Sequence, residues 1–276
     1  MARGLLFGTA GVPRSSKLPT TEAGIERLFE LGLDCMEVQF VQGVRMNTAL
    51  AHAIAETAEK RQIRLSVHAP YFINLNAHEP EKVAASKDRL IKTARIASLL
   101  GAEGVVFHPA FYLGDDPSEV HMRVKCALEE VTSRLREEGT HVTLRPETMG
   151  KRSQFGTLEE VLRLSADIEG IAPCIDFSHC HAREGANNSY EEFTAILERV
   201  QRVLGREALE QMHIHVAGVE YGNRGEIKHV NLRKSDLRYV ELLGALRDFE
   251  ARGRIICESP NLEGDALLLR RTFRSS

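Results

Sequence analysis

Residues 65–71 read Leu-Ser-Val-His-Ala-Pro-Tyr, a short apolar run that ends on a histidine. Five further apolar runs also end at or next to a side chain that can bind a metal ion: VVFHP (105–109), TLRPET (143–148), PCIDF (173–177), MHIHV (212–216) and IICES (255–259). The six side chains are His68, His108, Glu147, Asp176, His215 and Glu258. Their intervals of 40, 39, 29, 39 and 43 residues predict a repeating unit of one strand, one helix and two connections.

Eight apolar segments occur along the chain, and amphipathic helical patterns separate them. Strands are predicted at 4–9, 35–40, 63–68, 104–108, 141–145, 173–177, 212–216 and 254–258. Helices are predicted at 20–31, 46–61, 81–100, 117–138, 157–168, 189–204, 236–251 and 264–272, with capping-box spacings at Thr157/Glu160 and Ser189/Glu192. Apolar strands that alternate with amphipathic helices indicate a parallel sheet covered by helices. Eight such units predict an α/β fold, a (β/α)8 TIM barrel.

The chain has 276 residues, and one barrel typically takes about 250 residues. No low-complexity segment, charge block or Pro/Gly/Ser-rich linker divides it, so we expect a single domain over residues 1–276. The long loop-like stretches follow strands, at 69–80, 109–116, 146–156, 177–188 and 217–235. In a barrel, such loops form the carboxyl-terminal face, where active sites lie.

Composition excludes several classes of protein. No apolar run approaches the roughly 18 residues that span a bilayer, and the first residues indicate a strand, so we expect no membrane role. The five cysteines are scattered without a C-x-x-C pair, which is typical of a reducing compartment and predicts a cytoplasmic protein. The net charge is −3, so the chain does not have the excess of basic residues typical of proteins that bind nucleic acid purely by electrostatics.

The six strand-end side chains are expected to meet, because the carboxyl ends of barrel strands converge on one rim. Mixed nitrogen and oxygen ligands suit Zn²⁺, with Mn²⁺ or Fe²⁺ as substitutes. Four ligands satisfy one tetrahedral zinc, so six predict at least two ions. Further ligand types stand just beyond these strands and could hold a third ion: His179, Glu226 and His229.

Other polar residues near these positions have a structural interpretation. A lone histidine in an apolar strand is more often a hydrogen-bonded core residue than a ligand, and only the joint pattern favours metal. His213 shares a strand face with His215, so we expect it one layer deeper in the barrel. Arg145 shares a face with Glu147 and is expected to orient that carboxylate.

Two or three divalent ions held close together suit phosphate esters, because they neutralise the phosphate, activate water and stabilise the leaving oxygen. The chain has no G-x-x-x-x-G-K-[ST] phosphate loop, no G-x-G-x-x-G dinucleotide motif and no G-x-S-x-G nucleophile elbow. We therefore predict metal-dependent hydrolysis of a phosphodiester.

Six motifs resemble the endonuclease IV family of apurinic/apyrimidinic endonucleases over essentially the whole chain: HAPYFINL (68–75), FHPAFY (107–112), PETMG (146–150), IDFSHCHA (175–182), HIHVAGVEYGNRGEIKH (213–229) and CESPNLEGDA (257–266). The resemblance implies a TIM barrel with three zinc ions that acts in DNA base excision repair. Its implied partner is double-stranded DNA, cut on the 5′ side of an abasic site to leave a 3′-hydroxyl. It also implies a monomer.

The resemblance further implies a ligand for each ion. The first zinc would be held by His68 and His108, with Glu147 bridging to the second; the second by Asp176, His215 and Glu258; the third by His179, Glu226 and His229. Glu147 and Glu258 would also be catalytic. The chain departs from the family's Asp-x-His pattern at Glu226-Ile227-Lys228-His229, which resembles a divergent, archaeal-type branch.

Substrate contacts are expected from loops on the same face. Tyr71 follows His68 by three residues, where the family has an aromatic residue near the DNA. Candidate phosphate partners are Arg45, Arg224 and Lys228, with Lys151, Arg152 and Arg183 in further loops.

Two other functions stay open. A sugar isomerase or epimerase of the xylose-isomerase-like barrel type would use one metal, held by Glu147, Asp176, His215 and Glu258. The additional ligand candidates favour the nuclease: His68, His108, His179 and His229. A barrel that binds nucleic acid or a metabolite without chemistry is the third possibility.

Overall fold

The structure is a computed structural model that describes residues 4–275. Within this range the strands are Leu5–Ala10 (β1), Cys35–Gln39 (β2), Arg64–His68 (β3), Gly104–Phe107 (β4), Ala110–Phe111 (β5), Thr143–Pro146 (β6), Gln154–Phe155 (β7), Cys174–Asp176 (β8), Met212–Val216 (β9), Gly218–Gly222 (β10), Gly225–Val230 (β11) and Gly253–Cys257 (β12). The α-helices are Thr21–Leu31 (α1), Thr48–Arg61 (α2), Pro80–Leu99 (α3), Pro117–Glu137 (α4), Leu158–Asp167 (α5), Phe177–Glu184 (α6), Tyr190–Leu204 (α7), Arg206–Glu210 (α8), Tyr239–Asp248 (α9) and Glu263–Ser275 (α10), and a 3-10 turn spans Leu232–Lys234.

Eight of these strands form one parallel sheet in the order β6-β4-β3-β2-β1-β12-β9-β8. Its two ends approach each other, since Leu144 forms a parallel bridge with Ile171 and Glu147 with Cys174. The Thr148 amide also donates to the Cys174 carbonyl at 3.0 Å, so the barrel nearly closes. The predicted TIM barrel is confirmed, and each predicted strand matches a barrel strand to within two residues at either end.

The barrel strands are buried on both faces, because side chains fill the interior and helices cover the outside. Both predicted capping boxes are present: Thr157 with Glu160 begins α5, and Ser189 with Glu192 begins α7. Each cap satisfies amide groups that the first helical turn leaves unpaired, and removing one costs about 1 kcal/mol. No helix within residues 4–275 is long and apolar enough to cross a membrane.

Four segments predicted as loops contain regular structure. Residues 109–116 and 146–156 contribute β5 and β7 to a short antiparallel pair. Residues 177–188 begin with α6, because Asp176 caps this helix directly at the end of β8 by accepting from the His179 amide at 2.7 Å. Gly185 ends the helix at φ 64°. An acid before the first helical residue and a glycine after the last are the start and stop signals that identify it in the sequence. Residues 217–235 contain the antiparallel hairpin of β10 and β11.

The β10–β11 hairpin lies on the loop that follows β6. The Glu226 amide donates to the Gly150 carbonyl at 3.0 Å, and Lys151 forms an antiparallel bridge with Gly225. The contact is close enough that a Cβ on Gly225 would lie 2.1 Å from the Gly150 oxygen, and Gly225 has a φ of 94°. Glycine is therefore required at 225, and the hairpin is fixed beside the strand ends of the barrel.

Candidate metal centre

The nine residues predicted as metal ligands lie together at the strand ends and on the hairpin. Three groups have ligand atoms within 4.8 Å of one another: His68 with His108 and Glu147; Glu147 with Asp176, His215 and Glu258; and Asp176 with His179 and His229. Glu226 lies beside the third group, with carboxylate oxygens 3.4 Å from His179 Nε2 and 3.6 Å from His229 Nε2. All nine positions are close enough to act on shared ions, and their ligation stays a prediction.

Glu147 lies at the junction of the groups and is 1% exposed. Its Oε2 is 3.3 Å from His68 Nε2 and 3.2 Å from His108 Nε2. Its Oε1 is 3.2 Å from His215 Nδ1 and 3.3 Å from His179 Nδ1. The two oxygens of this carboxylate thus face different pairs of imidazoles, an arrangement compatible with a ligand that bridges two ions.

Acceptors behind two of these rings fix which nitrogen carries the proton. His68 Nδ1 lies 2.8 Å from the Ala69 carbonyl, and His215 Nε2 lies 3.1 Å from the Glu37 carboxylate. Because a carbonyl and a carboxylate can only accept, these nitrogens donate, and in the neutral rings the other nitrogen presents a lone pair to Glu147. Two acceptors then face each other at hydrogen-bond distance, so a proton or a metal cation must lie between them.

The third group contains buried polar atoms without a hydrogen bond to the described residues. These atoms are Asp176 Oδ2 and His229 Nε2. His179 Nδ1 lies 2.9 Å from the Thr148 carbonyl, which leaves its Nε2 directed at Glu226. Unpaired buried acceptors are costly unless a ligand satisfies them. A donor set of imidazole and carboxylate without thiolate fits Zn²⁺, Mn²⁺ or Fe²⁺.

The charges of the centre depend strongly on one another. Burial by itself would raise the pKa of Glu147, but the neighbouring imidazoles, above all His215, outweigh burial and hold this pKa well below its ordinary value. Burial would lower the pKa of His179, but Asp176 and Glu147 outweigh it and raise this pKa well above 6.5. The carboxylates therefore favour a cation, either a proton or a metal, on the facing nitrogens.

An open cavity of about 640 Å³ lies over the centre. Its walls are Ala10, Gln39, Val41, Tyr71, His108, Phe111, Met149, Lys151, Gln154, His179, Glu226, His229, Glu258 and Leu262. The Tyr71 ring stacks on His108 with centroids 5.1 Å apart. Of the six predicted phosphate partners only Lys151 belongs to this wall, and five lie outside it: Arg45, Arg152, Arg183, Arg224 and Lys228. Lys228 instead pairs with Glu220 at 3.1 Å.

Two predicted arginine roles are wrong. Arg145 does not contact Glu147, because its guanidinium points to the opposite end of the strands and donates to the carbonyls of Pro173 at 3.0 Å and Gln211 at 3.2 Å. Arg183 is not an exposed phosphate partner, since it lies in α6 and is 7% exposed. Its guanidinium fastens the loop after β6 through hydrogen bonds to the carbonyls of Met149, Lys151 and Gln154.

Sequence reasoning missed Glu37. This acid lies inside β2, between the apolar residues Met36 and Val38, and is fully buried against His213 and His215. An acid in the middle of a buried strand is the signal that could have identified it, since an unpaired charge is not tolerated there. His213 lies in the interior as predicted, 1% exposed, and contacts the same carboxylate.

Comparison with known proteins identifies the family of the fold. Residues 25–275 match the family described as the xylose isomerase-like TIM barrel. An uncharacterized protein of Methanocaldococcus jannaschii is 45% identical over 98% of this chain and 97% of its own. A probable endonuclease 4 of a Geobacillus species is 28% identical over 73% of this chain and 66% of its own.

Solved structures share the fold. Endonuclease IV from Thermus thermophilus superposes with a TM-score of 0.76 and 22% identity, covering 98% of this chain and all of that chain. A D-tagatose 3-epimerase-like protein superposes with a TM-score of 0.72 and 19% identity, covering 92% of this chain and 91% of that chain. Because the family match covers most of the chain, this protein belongs to the xylose isomerase-like TIM barrel family.

Proposed function

We propose that the protein is a metal-dependent DNA repair endonuclease that hydrolyses the phosphodiester on the 5′ side of an abasic site. One observation carries the proposal: three ligand groups share members, so that Glu147 and Asp176 each belong to two. A one-metal isomerase needs only the central group. The two outer groups supply imidazoles beyond that need: His68, His108, His179 and His229. The endonuclease 4 relatives support the same function.

The residues have distinct roles in this proposal. Two or three ions, with Zn²⁺ preferred, would neutralise the phosphate and lower the pKa of bound water toward ~7. Glu147, which belongs to both of the first two groups, would be shared by their ions. Glu258 has one oxygen 3.6 Å from His215 Nδ1 and the other 3.9 Å from His229 Nδ1. As a part-exposed member of the cavity wall, Glu258 is suited to orient the attacking water by accepting its hydrogen bond.

Substrate binding would combine stacking and charge. Tyr71 is 45% exposed at the cavity wall and offers an aromatic face. Lys151 is the lysine of that wall, which Glu226 and His179 also line. Arg45, Arg224 and Lys228 would contact phosphates farther along the duplex.

The test is incision of a labelled duplex that carries one tetrahydrofuran abasic site. We expect protein that has been stripped by chelation to be inactive, and protein reloaded with Zn²⁺ to cut 5′ to the lesion and leave an undamaged duplex intact. Glu258→Gln should fold, bind metal at the first group and lose most incision. No incision by protein with measured metal content would contradict the proposal.

A sugar epimerase is the second candidate, because the central group of four ligands and the likeness to the D-tagatose 3-epimerase-like structure are compatible with it. The same metal-loaded protein should be incubated with D-tagatose and D-fructose and the products separated by chromatography. Epimerised sugar without DNA incision would favour this candidate over the nuclease.

We also propose a cytoplasmic monomer. Free thiols at Cys35, Cys126, Cys174, Cys180 and Cys257 are compatible with a reducing compartment. Light scattering should give about 30.8 kDa, and twice this mass would contradict the monomer.

A further inference from the structure

Glu37 is a buried carboxylate directly beneath the candidate metal centre, with no exposed surface. Its Oε2 lies 2.9 Å from His213 Nε2 and 3.1 Å from Ser66 Oγ. Its Oε1 lies 3.1 Å from His215 Nε2 and 3.2 Å from Gln39 Nε2. Four donors on four neighbouring side chains therefore converge on one carboxylate, which matches its full capacity as an acceptor.

This arrangement determines the tautomer of His215. Because Glu37 only accepts, the Nε2 of His215 carries a proton, and Nδ1 of the neutral ring is the nitrogen with the free lone pair. That Nδ1 lies 3.2 Å from Glu147 and 3.6 Å from Glu258, which are members of the same ligand group. A carboxylate behind a ligating imidazole fixes the orientation of the ring and raises its basicity.

The same carboxylate reaches the cavity through Gln39. This residue lies two positions after Glu37 on the same face of β2 and forms part of the cavity wall. Since its amide nitrogen donates to Glu37, the orientation of the amide plane, and with it the carbonyl oxygen, is fixed relative to the cavity. One buried group thus connects a candidate metal ligand with a polar group that lines the cavity.

We infer that Glu37 is the positioning residue of the metal centre: it holds His215 in the tautomer that presents Nδ1 to the ion and fixes Gln39 against the bound substrate. The role depends on the ligand geometry and not on the reaction. It therefore applies equally to a nuclease and to a sugar epimerase.

The experiment measures metal binding by the full chain carrying Glu37→Gln. Glutamine keeps the shape of the side chain but is neutral and replaces one acceptor oxygen with an NH₂ donor, so the negative charge behind His215 is lost and one of the two carboxylate positions can no longer accept. We expect Zn²⁺ affinity, measured in the apo protein against a competing chelator, to fall about 10- to 100-fold. The visible absorption of the Co²⁺-loaded protein should change in position or intensity, because the geometry at His215 changes.

Two matched controls remove a different donor from the same carboxylate. Ser66→Ala and His213→Phe leave the contact between Glu37 and His215 in place, so we expect Zn²⁺ affinity within about threefold of the original and an unchanged Co²⁺ spectrum. A purely structural role predicts another result: all three variants lose thermal stability and bind Zn²⁺ equally well. That result would overturn the inference.

Should Glu37→Gln not fold, Glu37→Asp serves the same test. Aspartate keeps the charge but withdraws the acceptor by one methylene, so the inference again expects weaker Zn²⁺ binding and an altered Co²⁺ spectrum. Unchanged values for both would contradict it. Since no readout is DNA incision, a failure of the proposed nuclease activity is distinguished from a failure of this inference.

Discussion

The inner and outer halves of the candidate centre are built differently. The inner half, His68, Glu147 and His215, belongs to barrel strands or their immediate ends and is at most 2% exposed. The outer half, Glu226 and His229, lies on the β10–β11 hairpin with side chains 16% and 22% exposed. Strand hydrogen bonds on both sides fix the inner ligands, whereas a docked hairpin fixes the outer ones. We therefore expect the inner ions to be held rigidly. Binding of the outer ion should depend on the contact between the β10–β11 hairpin and the loop after β6.

The largest effect is expected at the inner half. Glu147→Gln removes the charge that faces four imidazoles, so the first two ion positions should both weaken. Incision of the abasic duplex should fall by about 10³-fold or more, by analogy with the loss of one strong electrostatic contact in other active sites. Bound metal per chain, measured by mass spectrometry, should drop by at least one ion. Full metal content would contradict the bridging role.

Removal of an outer ligand should have a smaller and more local effect. His229→Ala is expected to lose one ion and to slow incision about 10²-fold, while the inner ions remain. The thermal unfolding midpoint of the apo protein should change little, because His229 is part-exposed and has an unpaired nitrogen. Loss of all metal from this variant would show that the two halves are not independent.

A third variant tests the docking of the hairpin without replacing a ligand. A Cβ at Gly150 would lie 2.8 Å from Glu226 Cβ and 3.0 Å from His179 Cδ2. Gly150→Ala should therefore displace the hairpin and weaken the outer ion about 10-fold, as expected for a change next to the ligands. The matched control is Gly222→Ala on the same hairpin, where the new Cβ would make only an ordinary contact of 3.6 Å with Ile227. Equal Zn²⁺ affinities for the two variants would contradict the docking argument.

The smallest expected effect is the change in the stability of the apo protein with pH. Burial opposes the charged His68 and His179, but the neighbouring carboxylates raise both pKa values above 6.5, so their contribution to stability is complete below pH 6.5 and is lost as pH rises through the raised values. The pKa of Glu147 is lowered below 4.5, so its contribution is complete above pH 4.5 and is lost on acidification.

His68, His179 and Glu147 together should thus stabilise the apo protein most between about pH 4.5 and 6.5. Because Zn²⁺ replaces protons on the imidazoles, the increase in unfolding temperature on adding Zn²⁺ should grow from about pH 6 to about pH 8. Differential scanning calorimetry of both forms measures this. A zinc effect that is independent of pH would mean that these histidines are not ligands.

The parts of the fold that the sequence predicted well follow local rules. Apolar runs such as residues 104–107 and 212–216 are strands because both faces of a parallel barrel strand are buried. Their C-terminal residues converge because all eight strands are parallel, and so His68 and His215 meet Glu147 as expected. Neither inference requires knowledge of a contact between distant loops.

Other features were decided by contacts that no local pattern encodes. Arg145 and Glu147 share a strand face, yet the arginine extends toward the other end of the barrel, where carbonyls before β8 and β9 accept its hydrogen bonds. Glu37 is an ordinary acid in the sequence, and only the packing of β2 against β3 and β9 across the interior brings it the donors Ser66, His213 and His215.

The sequence by itself therefore determined the barrel and the residues at its strand ends. Burial on two faces and the parallel direction of the strands require the same residue pattern in every repeat, and this pattern is visible in the sequence. Only the tertiary structure decided how the β10–β11 hairpin reaches Gly150, which cations line the cavity, and which acid lies behind His215. These arrangements depend on distances between segments that are remote in sequence. Such distances are set by the packing of the whole molecule and not by any local pattern.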